Sequence, residues 1–229
     1  TANTQAYSTV AMDAAGDFVI SWSSNQSGSD YDIYAQRYNA AGVAQGTEFR
    51  VNTTTTIDQK LSTVAMDAAG DFVVTWSSYG QDGSSMGVYA QRYDATGVAQ
   101  GAEFQVNTYT TSDQTSSAVA MNATGDFIVT WQSLGQDGSG WGIYARGYSA
   151  DGVAQGPEVQ VNTTTDYSQA WVSVATDPQG DVAVVWSSFH QDGNGWGVYS
   201  QLIQADISPT LSLIESTALA YTSGNPAAT

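Results

Sequence analysis

Four tryptophans stand at a fixed interval in this chain, and each closes the same kind of segment. The segments GDFVISW, GDFVVTW, GDFIVTW and GDVAVVW end at Trp22, Trp76, Trp131 and Trp186, spaced 54, 55 and 55 residues apart. A sequence period of this length means a repeat architecture, and it constrains the fold before any single residue does. The copies run over 7–53, 61–108, 116–163 and 171–206. The last departs after Tyr199, where Gln201-Leu202-Ile203-Gln204 replaces the QRY segment and no EFQVNT segment follows. A residue present in every copy serves the shape of the copy, whereas a catalytic residue is usually unique.

Each copy reads as four short strands. In the second they are Ser62 to Met66, Asp71 to Ser77, Gly87 to Tyr93 and Glu103 to Asn107. Period-two alternation with β-branched and aromatic residues argues strand, and no helical period persists. Gly16, Gly70, Gly125 and Gly180 fall where a hairpin turn needs a left-handed residue. Four antiparallel strands in about 50 residues match one blade of a β-propeller. The expected fold is therefore all-β, a propeller of four four-stranded blades over 1–206. An array of small antiparallel sheets or sandwiches is the rival. The first strands, rich in Ser, Ala and Thr, are expected to crowd an axis, and the second strands to pack blade on blade. The four copies either close a ring or belong to a larger one. Residues 207–229 are expected to supply the outer strand of the last blade, through Thr210 to Ile214, or to begin a following module.

The chain carries 22 acids against five cations, a net charge of −17. Nucleic-acid partners need cations that neutralise phosphate, so they are excluded. No run of about 18 apolar residues is present, so no helical membrane insertion is expected. Cysteine is absent, which leaves no disulfide or thiolate metal site. The opening Thr1-Ala2-Asn3-Thr4 reads as that of an excised or mature segment.

The segments GQDGSGWGIYAR (135–146), GVYAQRYDATGVAQGAEFQVNT (87–108) and GDFVVTWSS (70–78) resemble repeats of very large secreted bacterial proteins of the RTX and adhesin type. PTLSLIESTALAYT (209–222) resembles the opening of a cadherin-like or Ig-like module of such proteins. The resemblance implies an extracellular or cell-surface location. Such proteins are typically loaded with Ca²⁺ through nonapeptide repeats, which this chain lacks, so it does not imply Ca²⁺ here.

The residues that could carry chemistry are weighed against that repeat. His190 is the sole histidine and replaces a Gly of a loop, so it reads as a solvated turn residue. Asp13, Asp17, Asp67, Asp71, Asp126, Asp177 and Asp181 recur beside the Gly turns. Asp caps such turns, but the same hard oxygens could hold Ca²⁺. The long loop of each copy ends in Tyr31, Met86, Trp141 or Trp196. Tyr31, Trp141 and Trp196, with Asp137, Asp192, Gln136 and Gln191 beside them, form a candidate sugar site if exposed. Otherwise they cover the edge of the next blade. Trp171 is expected in the core.

The function expected from these readings is a non-enzymatic structural and adhesive module of a secreted protein, a spacer or interaction surface. Its partners would be other protein copies or cell-surface glycans. A lectin-like carbohydrate-binding propeller is the second reading, and a glycan-cleaving enzyme the third.

Overall fold

The computed structural model describes residues 3–177 and 180–203, and the fold is built from fifteen strands in four antiparallel sheets. The first blade comprises β1 (Gln5–Met12), β2 (Phe18–Ser24), β3 (Asp32–Tyr38) and β4 (Phe49–Arg50). The second has β5 (Gln59–Met66), β6 (Phe72–Tyr79), β7 (Met86–Tyr93) and β8 (Phe104–Gln105). The third has β9 (Gln114–Met121), β10 (Phe127–Leu134), β11 (Trp141–Tyr148) and β12 (Val159–Gln160). The fourth shows β13 (Gln169–Thr176), β14 (Val182–Phe189) and β15 (Trp196–Ile203). Within each sheet the strands lie in sequence order. This is an all-β propeller, with one sheet per repeat.

Local chemistry explains the meander. In the first turn of blade 2 the Asp67 N–H donates to the Asp71 carbonyl (2.9 Å), and Gly70 takes φ +92°. A side chain there would meet the strain that L residues suffer at positive φ. The fourth strands are shorter than the alternation suggests, with only two residues in the ladder. The segment still docks, since the N–H groups of Val51, Val106 and Val161 donate to Ile33, Val88 and Ile143 at 2.7–2.8 Å. Among the described residues blade 4 has three strands. The expected outer strand from 210 to 214 and the expected segment 207–229 lie outside them.

Blades pack by a repeated pairing of unlike faces. Blade 1 offers Val19, Ile33, Ala35 and Val51 to Val64, Phe72, Val74, Trp76, Tyr89 and Tyr93 of blade 2. The same small-aliphatic face of blade 2 meets Phe127, Val129, Trp131, Tyr144 and Tyr148 of blade 3. That of blade 3 meets Val182, Val184, Trp186 and Tyr199 of blade 4. Nearer the axis, hydroxyls bridge the blades: Ser21 to Ser62 (3.0 Å), Thr75 to Ser117 (2.9 Å) and Ser77 to Thr115 (2.9 Å). Small hydroxyl side chains let the first strands approach closely and still satisfy buried polar atoms.

β1 packs beside β5, β5 beside β9 and β9 beside β13. No comparable packing joins β13 back to β1 among the described residues. The arc is therefore open between blades 4 and 1, and this changes one expectation. Trp76, Trp131 and Trp186 are buried as predicted, but Trp22 is only half-buried, because among the described residues no blade covers its face.

Candidate functional site

Where the four first strands converge, each breaks register with its neighbour. The shifts lie between Ala6 and Thr9 in blade 1, Lys60 and Thr63 in blade 2, and Ala170 and Ser173 in blade 4, with a matching one in blade 3. At each bulge one residue is left-handed: Tyr7 (φ 56°), Leu61 (59°), Ser116 (54°) and Trp171 (57°). None is glycine, so each costs about 1–2 kcal/mol of backbone strain. A bulge re-aims a side chain, and retained strain marks positions that the surrounding structure imposes. These four residues, with Ser8, Thr9, Ser62, Thr63, Ser117 and Val172, line an open and mainly apolar axial depression of about 370 Å³, in which the Thr9, Ser62, Thr63 and Ser117 hydroxyls are taken up by bonds within and between the blades. That is the size of a small-ligand pocket.

The axial position corrects the reading of Trp171. It is not core: 63% of its surface is exposed. Its indole lies 4.6 Å from that of Trp196, which in turn lies 5.1 Å from the Phe189 ring. Phe189 carries His190 at 4.2 Å, and Tyr167 lies 5.5 Å from His190. An exposed aromatic shelf thus runs along blade 4 from the axial cavity. The repeat held a signal for it. At this position the copies read Tyr, Leu, Ser and Trp, beside a preceding position that also varies, within strands that otherwise repeat closely.

The other expected ligand residues fall on separate blades. Tyr31 lies over the ammonium of Lys60 in blade 2 (4.6 Å), and its N–H donates to Asp58 Oδ1 (2.9 Å). Burial would raise the Asp58 carboxyl, but hydrogen bonds from Lys60 and the Tyr31 N–H outweigh it and hold it below its ordinary value. Trp141 likewise sits against the start of blade 4, its N–H donating to Ser168 Oγ (3.4 Å). Tyr31 and Trp141 therefore latch the next blade, while Trp196 has no next blade among the described residues. Asp137 and Asp192 do not join the shelf. Each accepts a turn N–H, from Ser139 and Asn194 at 3.1 Å. Each also has an oxygen close to the glycine of a third strand, Gly142 or Gly197, where a Cβ would come to 2.7 or 3.3 Å. Gln136 donates to Glu158 (2.7 Å), and the Oε1 atoms of Gln136 and Gln191 are buried.

The turn acids act on the backbone. Asp13 Oδ1 accepts from Ala15 and Asp17, and Asp67 Oδ1 from Ala69 and Asp71, all at 2.8–2.9 Å. Asp177 Oδ1 accepts from the Asp181 N–H (2.9 Å). Asp17, Asp71 and Asp126 reach across to the N–H of Ala40, Ala95 and Ala150. Among the described residues no three His, Asp or Glu side chains come together to hold an ion. With a net charge of −17 the compact state still repels itself. Added NaCl should raise the melting temperature, and CaCl₂ and MgCl₂ at equal ionic strength should act alike in a thermal scan. A rise specific to Ca²⁺ would place an ion on these turns instead.

No protein-family model and no curated protein matches the sequence. Solved structures do share the fold. A thermostable family-43 glycoside hydrolase superposes with a TM-score of 0.50 at 11% identity, over 90% of this chain and 76% of its own. A Hadza microbial sialidase gives 0.58 at 11% identity, over 93% and 46%. A glycosyl hydrolase from Bacteroides ovatus gives 0.50 at 10% identity, over 93% and 71%. The all-β propeller fold is therefore shared with solved glycoside hydrolases. This corrects the expectation of a non-enzymatic spacer or adhesive module, which rested on the repetition and on the resemblance to adhesin-type repeats. Among the described residues no helix is long and apolar enough to cross a membrane.

Proposed function

We propose that this propeller engages a glycan at its axial cavity, with the Trp171–Trp196 shelf as the platform for a sugar ring. The observation that carries the reading is the exposed, left-handed Trp171 at a mainly apolar axial depression, stacked beside the exposed Trp196. Indole faces stack on the apolar C–H face of a pyranose, and the Ser8 and Ser116 side chains of the lining can donate to and accept from its hydroxyl groups. The fold shared with glycoside hydrolases supports the ligand class. The acidic surface favours neutral saccharides over anionic ones, which it repels.

Titration with a panel of neutral oligosaccharides, read by tryptophan fluorescence and calorimetry, tests this. Trp171→Ala should weaken binding about tenfold or more, the loss of roughly 1.4 kcal/mol of contact. Trp141→Ala should leave affinity unchanged, because Trp141 is not among the residues that line the depression. A folded protein that binds no saccharide in the panel would sink the reading.

A further inference from the structure

Blades 1 and 4 face the open seam with the two unlike surfaces that pair at every internal interface. On blade 1, Val10, Met12, Phe18, Ile20, Trp22 and Tyr38 are the repeat equivalents of Val64, Met66, Phe72, Val74, Trp76 and Tyr93. Val64 is 8% exposed under blade 1, whereas Val10 is 60% exposed and Met12 61%. On blade 4 the seam presents Val185, Val198 and Leu202, the last two 54% and 52% exposed. Val185 stands where the other copies have Ser21, Thr75 and Thr130, and Leu202 where they have Arg37, Arg92 and Gly147. The open face of blade 4 is thus more apolar than its internal counterparts. Contiguous apolar surface of this kind marks an interaction site.

The internal interfaces define what fits. The Tyr93 and Tyr148 hydroxyls donate to the Val51 and Val106 carbonyls of the preceding blade at 3.4 Å. Glu103 and Glu158 accept the Thr53 and Thr108 N–H groups of that blade at 2.6 Å. Tyr38 and Glu48 hold the same places in blade 1, with no preceding blade among the described residues. Blade 1 therefore keeps the full set that receives a V-N-T fourth strand and a small-aliphatic face.

We propose that the seam is the docking site of one further blade of this repeat type, joined covalently to the ring. Its small-aliphatic face and V-N-T strand would cover blade 1, and its tryptophan face would cover Val198 and Leu202. A blade in trans is disfavoured, because some 50 residues of isolated sheet cannot bury a core of their own. A second copy is disfavoured by the repulsion between two chains of charge −17. Tyr7 and Trp171 flank this seam, so the added blade would also complete the wall of the axial cavity.

The test joins a copy of residues 59–113 ahead of the full chain and follows Met12 oxidation by mass spectrometry, together with melting temperature and solution mass. The expected result is a monomer that melts higher, with Met12 oxidised several-fold more slowly. A folded five-repeat protein with Met12 oxidised at the unaltered rate would overturn the proposal. So would protection of Met12 by an isolated repeat in trans, or a four-repeat chain that is already dimeric with Met12 protected. A second variant guards against misfolding of the fusion. Val10→Lys with Met12→Lys in the unextended chain should leave the melting temperature unchanged, while Val64→Lys with Met66→Lys should lower it sharply. Equal losses from the two pairs would mean that the seam is already covered.

Discussion

Replacing Trp131 with alanine will cost about 3–5 kcal/mol of stability, the range for a large aromatic cavity that the surroundings cannot fill. The indole is fully buried between blades 2 and 3, stacked 6.4 Å from Tyr144. Its N–H has no protein acceptor among the described residues, so its contribution is packing. Trp131→Phe should therefore recover most of the loss. Trp22→Ala, at the same repeat position but on the open seam, should cost less than about 2 kcal/mol, since the gain scales with the area removed from water. Urea midpoints of the three variants check the series. Equal losses at Trp22 and Trp131 would show that the seam is closed in solution, and a small loss at Trp131 would contradict the blade packing itself.

The fold was legible because repetition multiplies weak signals. One GDFVVTW segment is a strand with a turn before it. Four of them at one spacing set the number of sheets, the turn positions and the buried tryptophans. The strand ends were less legible. Val106 is buried and bonded to Val88, yet outside the regular ladder, and alternation alone cannot show that a strand leaves its neighbour after two residues. The site was less legible for a related reason. Trp171 looked like core because Leu61 holds its place, but a bulge with a left-handed residue turns that place toward the axis. Backbone chirality leaves no trace in the residue types Tyr, Leu, Ser and Trp. The candidate residues Asp137 and Trp141 are close in sequence but serve different neighbours. Asp137 lies in the turn and packs over Gly142, while Trp141 begins β11 and its backbone N–H donates to Ser168 of the next blade. The seam was visible only in outline. The fourth copy lacks its EFQVNT segment, but which faces that leaves uncovered depends on how the sheets stack.

Raising the pH should unfold the protein between about pH 10 and 12, before its arginines titrate, through tyrosines that line the blade interfaces. Burial, then the charges of Asp82 and Glu103, push the Tyr89 hydroxyl up to about 12. Burial, then Asp137, Glu158 and Tyr109, do the same for Tyr144. Tyr148 is raised to about 12 by burial, against the lowering effect of Arg146, and Tyr93 is raised further by burial and Glu103. An unfolded tyrosine ionises near pH 10. Below that pH both states hold their protons, and the stability these hydroxyls contribute is fully present. Above it the unfolded chain sheds protons that the folded chain still keeps, so stability falls as pH rises through the folded pKa values. Urea midpoints from pH 9 to 12, with tyrosinate absorbance followed in parallel, will show a steep loss in which unfolding and ionisation coincide. Tyr144→Phe removes one such group and should move the alkaline midpoint upward, even though it leaves the neighbouring Asp137 in place. Ionisation of all the tyrosines near pH 10 with the sheets intact would mean that these hydroxyls are open to water, and the blade interfaces would then be looser than their packing indicates.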